Sequence, residues 1–413
     1  MMRAALCIWI VSAVVCLGRG HPSEGHVEVQ EQQPTEPDNS TRIFSLVTSA
    51  NQDFAYRLYR QLAAQSDSQG KNIFFSPASV TLALAALSVG ARGETHQQLF
   101  SGLGLKSPLL TQTGVAQAFH TLLSKSSQED VSAGTAVFVH DTFNLRPEFL
   151  EVLNQSYAAD GFSVDFTKSV ESANTINKYV EEKTSGKINK LVDSLDPSTL
   201  MYLISYIYYK GKWQIPFKPE ETKEEMFHVD EQTEVPVQMM NVEDTFKFYQ
   251  DQGISTSVLC LPFNSSMSML LLLPDKDLAA LESKISQTEV TKWLKWMNPR
   301  ELDVFVPKFS IKTSYSLKDV LSVMGMTDMF GATADLSGIS EEAMLAVSEV
   351  VHQATLDVDE TGATAAAATG IGLIPLSYRP VSTVKFDRPF MVLIIDHSTE
   401  SILFMGKIVN PNI

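Results

Sequence analysis

Residues 72–80 read N-I-F-F-S-P-A-S-V and place the start of a helix within an apolar run. Ser76 is of the residue type that caps a helix N-terminus, and Pro77 suits the first helical position because proline has no backbone N–H to satisfy. Gly90 can close the helix. The residues between are apolar nearly all round, so we expect a buried helix: Val80, Leu82, Ala83, Leu84, Ala85, Ala86 and Leu87.

The flanking sequence predicts an amphipathic helix and a series of strands. Apolar residues recur every four positions at Leu46, Ala50, Phe54, Leu58 and Leu62, which is typical of an amphipathic helix. Branched and aromatic runs predict strands at 200–209, 269–273, 303–306, 391–395 and 402–404. Because helices concentrate in the first half and strands in the second, the pattern indicates an α+β fold.

Length and composition are those of a globular protein. The chain has 413 residues, of which 44% are hydrophobic, and a formal net charge of −16 at pH 7. This apolar content argues against disorder, and the acidic balance argues against nucleic-acid binding, which needs basic patches. No repeat or linker divides the chain, so we expect one domain of roughly 370 residues. No later stretch has 18 uninterrupted apolar residues, so we expect no membrane span.

The N-terminal residues predict secretion. Residues 1–20 carry Arg3, then an apolar run and small residues, which is typical of a signal peptide. Its removal leaves Cys260 as the single cysteine. Residues 21–43 are polar and acidic, and we expect a disordered tail there, followed by the folded domain at 44–413. N-x-S/T sequons fit an extracellular glycoprotein: Asn39, Asn154 and Asn264.

Sequence motifs of catalysis are missing. The chain has no G-x-S-x-G, H-E-x-x-H, G-x-x-x-x-G-K-[ST] or C-x-x-C, and its eight histidines lack metal-ligand spacing. We therefore expect neither an enzyme nor a bound metal or cofactor.

Residues 360–380 read E-T-G-A-T-A-A-A-A-T-G-I-G-L-I-P-L-S-Y-R-P. They follow a predicted strand at 349–359 and precede another from residue 384 onward. Taken alone, the alanine-rich part reads as a linker or a short helix. Long loops within compact domains are uncommon, however, and are usually functional. This segment is therefore the strongest candidate for the site of function.

Motifs along the chain resemble those of the serpin family: N-I-F-F-S-P-A-S-V at 72–80, G-A-R-G-E-T at 90–95, Y-Y-K-G-K-W at 208–213, V-P-K-F at 306–309, F-D-R-P-F at 386–390 and F-M-G-K-I-V-N-P at 404–411. The resemblance covers residues 44–413. It is strongest to antitrypsin-like plasma serpins, because I-P-L-S at 374–377 is similar to their I-P-M-S bait. It implies about eight or nine helices packed on three β-sheets, with an exposed reactive-centre loop at about 360–380.

The resemblance implies a suicide-substrate mechanism. A serine protease attacks the loop, an acyl-enzyme forms, and the cut loop inserts as a new strand in the main sheet. Insertion requires small, uncharged side chains, because the strand enters a closed core. After the anchor Glu360, the residues of the hinge meet that requirement: Gly362, Ala363, Thr364, Ala365, Ala366, Ala367, Ala368 and Thr369.

In the family register the scissile bond is Leu376–Ser377, preceded by Ile374 and Pro375. An apolar residue at this position suits chymotrypsin-, cathepsin G- or elastase-like proteases. It does not suit trypsin-like enzymes, whose pocket carries an acid for Lys or Arg. Tyr378 offers a second cut for a chymotrypsin-like enzyme. The alternative is that Leu376 only packs on the surface.

The resemblance also implies a hydrogen-bonded cluster where the main sheet opens. Ser76, Ser79 and His352 match that cluster. Ser205 stands where the family usually has Asn, so the cluster here bonds differently or opens at lower cost.

Lys308 and Glu360 match a family ion pair at the top of the main sheet, near Trp213. The alternative is that they are ordinary surface charges, worth under about 1 kcal/mol.

A non-inhibitory serpin that carries a hormone or small ligand is the second function to weigh. Non-inhibitory members often have charged, bulky or proline residues in the hinge, and residues 362–372 contain no charge and no proline. The inhibitor is therefore favoured. Between residues 102 and 132 only Lys106 and Lys125 carry a fixed positive charge, so heparin is not expected to bind. We expect a monomer.

Overall fold

The computed structural model describes residues 39–125, 131–342, 344–361 and 381–413. Within these ranges it has nine α-helices and fourteen β-strands, which confirms the α+β fold. The helices in the same ranges are too short or too polar to span a bilayer.

Most of the helical residues lie in the N-terminal half of the chain. The helices are α1 (Asn39–Ala64), α2 (Pro77–Gly90), α3 (Gly93–Gly102), α4 (Gln112–Lys125), α5 (Pro147–Tyr157), α6 (Ser169–Lys183), α7 (Leu278–Lys284), α8 (Gln287–Trp296) and α9 (Lys318–Val323). The start of α2 agrees with its sequence, since the backbone N–H of Ser79 donates to Ser76 Oγ at 3.1 Å and Pro77 follows the cap.

Helix α1 begins at Asn39, before the boundary at residue 44 that the sequence predicts. The residues at its start have apolar partners. Ile43 packs against the main apolar cluster, and Lys125 Nζ lies 4.6 Å from the centre of the Phe44 ring. These contacts extend the amphipathic helix into the last residues of the range 21–43, for which we predicted a disordered tail.

The strands are β1 (Ile73–Phe75), β2 (Val131–His140), β3 (Ala159–Val164), β4 (Met201–Tyr209), β5 (Lys223–His228), β6 (Glu234–Asp251), β7 (Thr256–Pro262), β8 (Met267–Pro274), β9 (Asn298–Pro307), β10 (Phe309–Ser316), β11 (Glu349–Val358), β12 (Ser382–Lys385), β13 (Phe390–Asp396) and β14 (Ser401–Ile408). The five strands predicted from branched and aromatic runs correspond to β4, β8, β9, β13 and β14.

The larger sheet has nine strands in the order β1-β14-β13-β8-β7-β6-β9-β12, with β5 also paired to β6. The long strand β6 joins two parts of it. The C-terminal end of β6 pairs with β7, whereas the middle of β6 pairs with β9 and its N-terminal end with β5. The resemblance implies three sheets. Two of them form a single nine-stranded sheet here, because β6 pairs with strands of both.

The second sheet has five strands in the order β10-β11-β4-β2-β3. Its inner strands β4 and β11 are parallel and pair from Tyr202 with Glu349 to Tyr209 with Leu356. The neighbours of this pair, β10 and β2, are antiparallel to β11 and β4 respectively.

Apolar clusters cover both faces of the five-stranded sheet. One cluster combines α1, α2 and α4 with β13 and β14, and a second fills the space between the two sheets. A third lies under α6 and includes Tyr206 of β4 and Val351 of β11. The β4–β11 pair is therefore packed on one face by α2 and on the other by the cluster of α6.

Candidate functional site

Strand β11 leads directly into the segment that the sequence singles out. After Val358 the described chain continues to Thr361 and resumes at residue 381, just before β12. Segment 362–380 thus joins an inner strand of the five-stranded sheet to an edge strand of the nine-stranded sheet. The predicted reactive bond, bait and hinge lie outside the described residues: Leu376, Ser377, Ile374, Pro375, Gly362, Ala363, Thr364, Ala365, Ala366, Ala367, Ala368 and Thr369.

Four of the predicted site residues meet below the β4–β11 pair. His352 Nε2 accepts the backbone N–H of Ser76 at 2.9 Å, so the neutral ring carries its proton on Nδ1. That nitrogen lies 3.1 Å from Ser205 Oγ, and Ser205 Oγ lies 2.7 Å from Ser79 Oγ. The cluster therefore ties the N-terminus of α2 to both parallel strands.

Burial keeps this cluster neutral. His352 is wholly buried, and desolvation lowers the pKa of its imidazole from 6.5 to about 3, although the hydrogen bond with Ser205 opposes the shift. The ring therefore stays uncharged at neutral pH and can accept from Ser76.

Ser205 continues the network, so replacing the family's usual Asn does not break it. The hydroxyl bridges His352 and Ser79. Its register partner on β2 is Thr135, whose Oγ1 is buried and has no hydrogen-bond partner among the described residues. Sequence reasoning missed Thr135, because nothing in the local sequence indicates that β2 brings it beside Ser205.

The other two predicted site residues meet where β11 ends. Lys308 Nζ lies 2.8 Å from Glu360 Oε2, and Thr222 Oγ1 donates to Glu360 Oε1 at 3.0 Å. Burial raises the pKa of Glu360, but the hydrogen bonds from Lys308 and Thr222 outweigh it and hold the pKa below its usual value. The carboxylate is therefore ionised at neutral pH.

Further contacts that the sequence did not predict hold the same end of β11. Trp213 Nε1 donates to the Asp359 carbonyl at 2.8 Å, and the Trp213 backbone N–H donates to the Thr361 carbonyl at 3.1 Å. Lys210 Nζ lies 2.8 Å from Asp359 Oδ2. The backbone is therefore anchored up to the last described residue before segment 362–380.

A surface cleft of about 410 Å³ lies between α1, α8, β13 and β14. It combines apolar and polar side chains: Gln52, Tyr56, Gln287, Val290, Thr291, Leu294, Ile395, His397, Glu400 and Ile402. Such a lining can contact both the apolar body and the polar groups of a small ligand.

The remaining predicted positions lie apart from the cluster and the end of β11. All three sequon asparagines, Asn39, Asn154 and Asn264, are exposed. Cys260 is a buried free thiol whose pKa is raised by desolvation.

One group among the described residues has metal-ligand chemistry: His140, Asp141 and Asp165. Its donor atoms already have protein partners. Asp165 Oδ1 accepts the backbone N–H of Thr167 at 3.1 Å, and His140 Nδ1 lies 3.1 Å from Thr142 Oγ1.

Comparisons with known proteins agree on one family. A family model described as "Serpin (serine protease inhibitor)" matches residues 49–411. An alpha-1-antitrypsin-like protein of Tamias sibiricus is 40% identical over 407 residues, which cover 97% of each chain. The alpha-1-antiproteinase of Rattus norvegicus is 38% identical with the same coverage.

Solved structures give the same result. Human thyroxine-binding globulin, complexed with thyroxine, superposes with a TM-score of 0.82 at 33% identity and covers 90% of this chain and 100% of its own. Human kallistatin superposes with a TM-score of 0.82 at 34% identity, covering 90% and 99%.

Proposed function

Because the chain belongs to the serpin family of serine protease inhibitors, we propose that it is a suicide-substrate inhibitor of chymotrypsin-, cathepsin G- or elastase-like proteases. The protease cuts segment 362–380, and the cut segment inserts between β4 and β11 before the acyl-enzyme is hydrolysed.

The parallel pairing of β4 and β11 is the observation that carries this proposal. A strand that follows β11 and turns back runs antiparallel to β11, and therefore also antiparallel to β4. Inserting it replaces one parallel ladder with two antiparallel ladders, which are slightly more stable per residue. The gain in hydrogen bonds and buried surface drives the trapping step.

The composition of the hinge supports insertion. Residues 362–372 contain no charged residue and no proline, so each backbone N–H can join a ladder and no side chain brings an unpaired charge into the core. The bond cut is Leu376–Ser377, and the side chain of Leu376 fills the apolar primary pocket of the protease.

We assign the His352 cluster within β11 and the contacts at its C-terminal end to control of opening. The His352 cluster holds β4 and β11 on α2 below the pair, and the Lys308–Glu360 contact holds the end of β11 from which the loop leaves. Both must give way locally when a strand enters between β4 and β11.

The cellular context follows from the N-terminal sequence. Residues 1–20 are removed on secretion, and the exposed asparagines Asn39, Asn154 and Asn264 carry the glycans. The inhibitor acts as a monomer in the extracellular space, without heparin.

Mixing the purified protein with chymotrypsin, pancreatic elastase and trypsin in turn tests the proposal. A detergent-stable covalent complex with chymotrypsin or elastase is expected on denaturing gels, and the released peptide should begin at Ser377. Trypsin should form no complex.

Two variants provide matched controls. Leu376→Arg should transfer complex formation to trypsin, because the acid in trypsin's primary pocket pairs with the guanidinium of the new arginine. Thr364→Arg should be cut without forming a complex, because its charge cannot enter the sheet. Clean cleavage of the unmodified protein by all three enzymes would overturn the proposal.

A hormone or small-ligand carrier is the second candidate, and the cleft between α1 and α8 favours it. Thyroxine-binding globulin, a structural neighbour, holds thyroxine in its solved structure. Calorimetric titration with thyroxine tests the candidate, with Val290→Arg as the variant that fills the cleft. Thyroxine binding to the unmodified protein that Val290→Arg abolishes would support the carrier function. No binding to the unmodified protein would exclude the carrier function for thyroxine.

A further inference from the structure

The pair β4–β11 contains a polar side chain that the described residues leave unsatisfied. Gln353 is wholly buried, and neither Nε2 nor Oε1 has a hydrogen-bond partner in the described part of the chain. A primary amide can donate two hydrogen bonds and accept two, and leaving them unmade in the interior costs the desolvation of the group.

The position of Gln353 explains why no partner is at hand. It follows His352, so its side chain lies on the opposite face of β11, with Tyr206 as its register partner on β4. Tyr206 and Val351, which lies two residues before Gln353 on the same face, both belong to the apolar cluster under α6. The amide is therefore enclosed on the apolar side of the sheet.

A second group on that face has the same property. Thr355, two residues further along β11, is buried, and its Oγ1 has no partner among the described residues. On the opposite face of the same strand, both ring nitrogens of His352 are engaged. Both groups without a partner among the described residues thus lie on the face of β11 opposite His352.

We infer that the buried amide of Gln353 destabilises the closed β4–β11 pair and so lowers the cost of opening it for an inserted strand. Separating β11 from Tyr206 gives the amide access to water or to the new strand, which ends the penalty. The inference rests on the proposed inhibitory function.

The consequence for inhibition is kinetic. Once the acyl-enzyme has formed, insertion competes with attack by water, which releases active protease and cleaved inhibitor. A higher opening cost slows insertion, so more inhibitor is consumed as substrate. Gln353 therefore influences the ratio of trapped protease to released protease, although it does not touch the protease.

The test replaces Gln353 by Met, which has a similar volume and no polar group to satisfy. We expect the melting temperature of the uncut protein to rise by at least about 2 °C, because an unpaired buried group is removed. Polymer formation on mild heating should slow, and the moles of inhibitor consumed per mole of chymotrypsin should at least double.

Two neighbours serve as controls. Thr355→Val removes the other unpartnered group on this face and should act in the same direction with a smaller effect. Ser314→Ala changes the exposed register partner of Gln353 on β10 and should change neither stability nor stoichiometry.

An unchanged or lower melting temperature in Gln353→Met would overturn the inference, since the amide would then be satisfied. A higher melting temperature with unchanged stoichiometry would show that the residue does not affect partitioning. If the unmodified protein forms no covalent complex with any protease, the proposed function fails. The rate of polymer formation then still decides whether Gln353 eases opening.

Discussion

The two sheets are stabilised in different ways. In the nine-stranded sheet every residue of β8, β13 and β14 is buried, and β13 pairs antiparallel with both β8 and β14. In the five-stranded sheet, the inner pair β4–β11 is parallel, and buried polar residues lie on both faces. On one face they are hydrogen-bonded around His352, and on the other Gln353 is without a partner among the described residues.

This difference predicts that β8, β13 and β14 stay paired, whereas β4 and β11 can separate. Apolar burial is lost in proportion to the area exposed, so opening the strands β8, β13 and β14 is costly along their whole length. The strands β4 and β11 are buried along most of their length as well, but the cluster around His352 and the amide of Gln353 place polar groups between them and their neighbours. We expect the pair to separate locally where those groups lie. Mutations in the two regions should therefore have different consequences for inhibition.

The largest expected effect is a loss of overall stability from a cavity in the nine-stranded sheet. Leu393 of β13 is wholly buried between β8 and β14, so Leu393→Ala should lower the free energy of unfolding by about 2–5 kcal/mol. Urea denaturation measures this loss. The folded fraction should keep its inhibition stoichiometry, and a changed stoichiometry would contradict the separation of roles.

Next in size is His352→Ala, which leaves the Ser76 N–H and the Ser205 hydroxyl without their partner in a closed core. Each unsatisfied buried group costs about 1–3 kcal/mol. Polymers should form at least about tenfold faster on mild heating, since about 1.4 kcal/mol corresponds to a factor of ten. Native gels measure the rate of polymer formation.

The control for this variant is His120→Ala, at an exposed position on α4. It should polymerise at the rate of the unmodified protein. Equal rates for both variants would show that the cluster does not hold β4 and β11 closed.

Acidification should act through the same imidazole. The pKa of His352 is about 3 in the folded chain and 6.5 in water, so the opened or unfolded form binds a proton that the closed form excludes. The contribution of this group to stability is complete above pH 6.5 and is lost as the pH falls towards 3.

At pH 5 the loss should be about 2 kcal/mol relative to pH 7.5. Polymer formation measured across this range should accelerate in the unmodified protein and should be much less sensitive to pH in His352→Ala. The same pH dependence in both proteins would exclude His352 as the titrating group.

The smallest effect is expected at the charged end of β11. Glu360→Lys replaces the contact with Lys308 by repulsion, but Lys308 is half-exposed, so the change should be under about 1 kcal/mol. We still expect loop-sheet polymers after mild heating, because the contact lies where the loop leaves the sheet.

Size-exclusion chromatography after heating is the measurement for this variant. The charge-swapped protein Lys308→Glu/Glu360→Lys should return towards the behaviour of the unmodified protein. A wholly monomeric Glu360→Lys protein would show that the Lys308–Glu360 contact does not restrain opening of the sheet.

Local sequence was informative where one segment determines the structure. Ser76 and Pro77 fixed the start of α2, and branched or aromatic runs marked β4, β8, β13 and β14. Motif order then supplied the family, the long-range approach of His352 to Ser76 and the approach of Lys308 to Glu360.

The sequence could not indicate features that depend on register between distant strands. Thr135 lies beside Ser205 only because β2 pairs with β4 in one register, and Gln353 lies beside Tyr206 only because β11 pairs with β4 in one register. Either residue is ordinary in its own segment. The shared role of β6 in joining two small sheets is likewise a matter of pairing rather than of local pattern.

Thermal unfolding before and after a single cut in segment 362–380, made by a non-target protease, decides whether β4 and β11 open to admit the cut strand. If the cut segment enters between β4 and β11, the cleaved protein should melt far above the uncut protein, by at least about 20 °C, because two antiparallel ladders replace one parallel ladder and new surface is buried. An unchanged or lower melting temperature after complete cleavage would contradict the claim that this pair of strands opens.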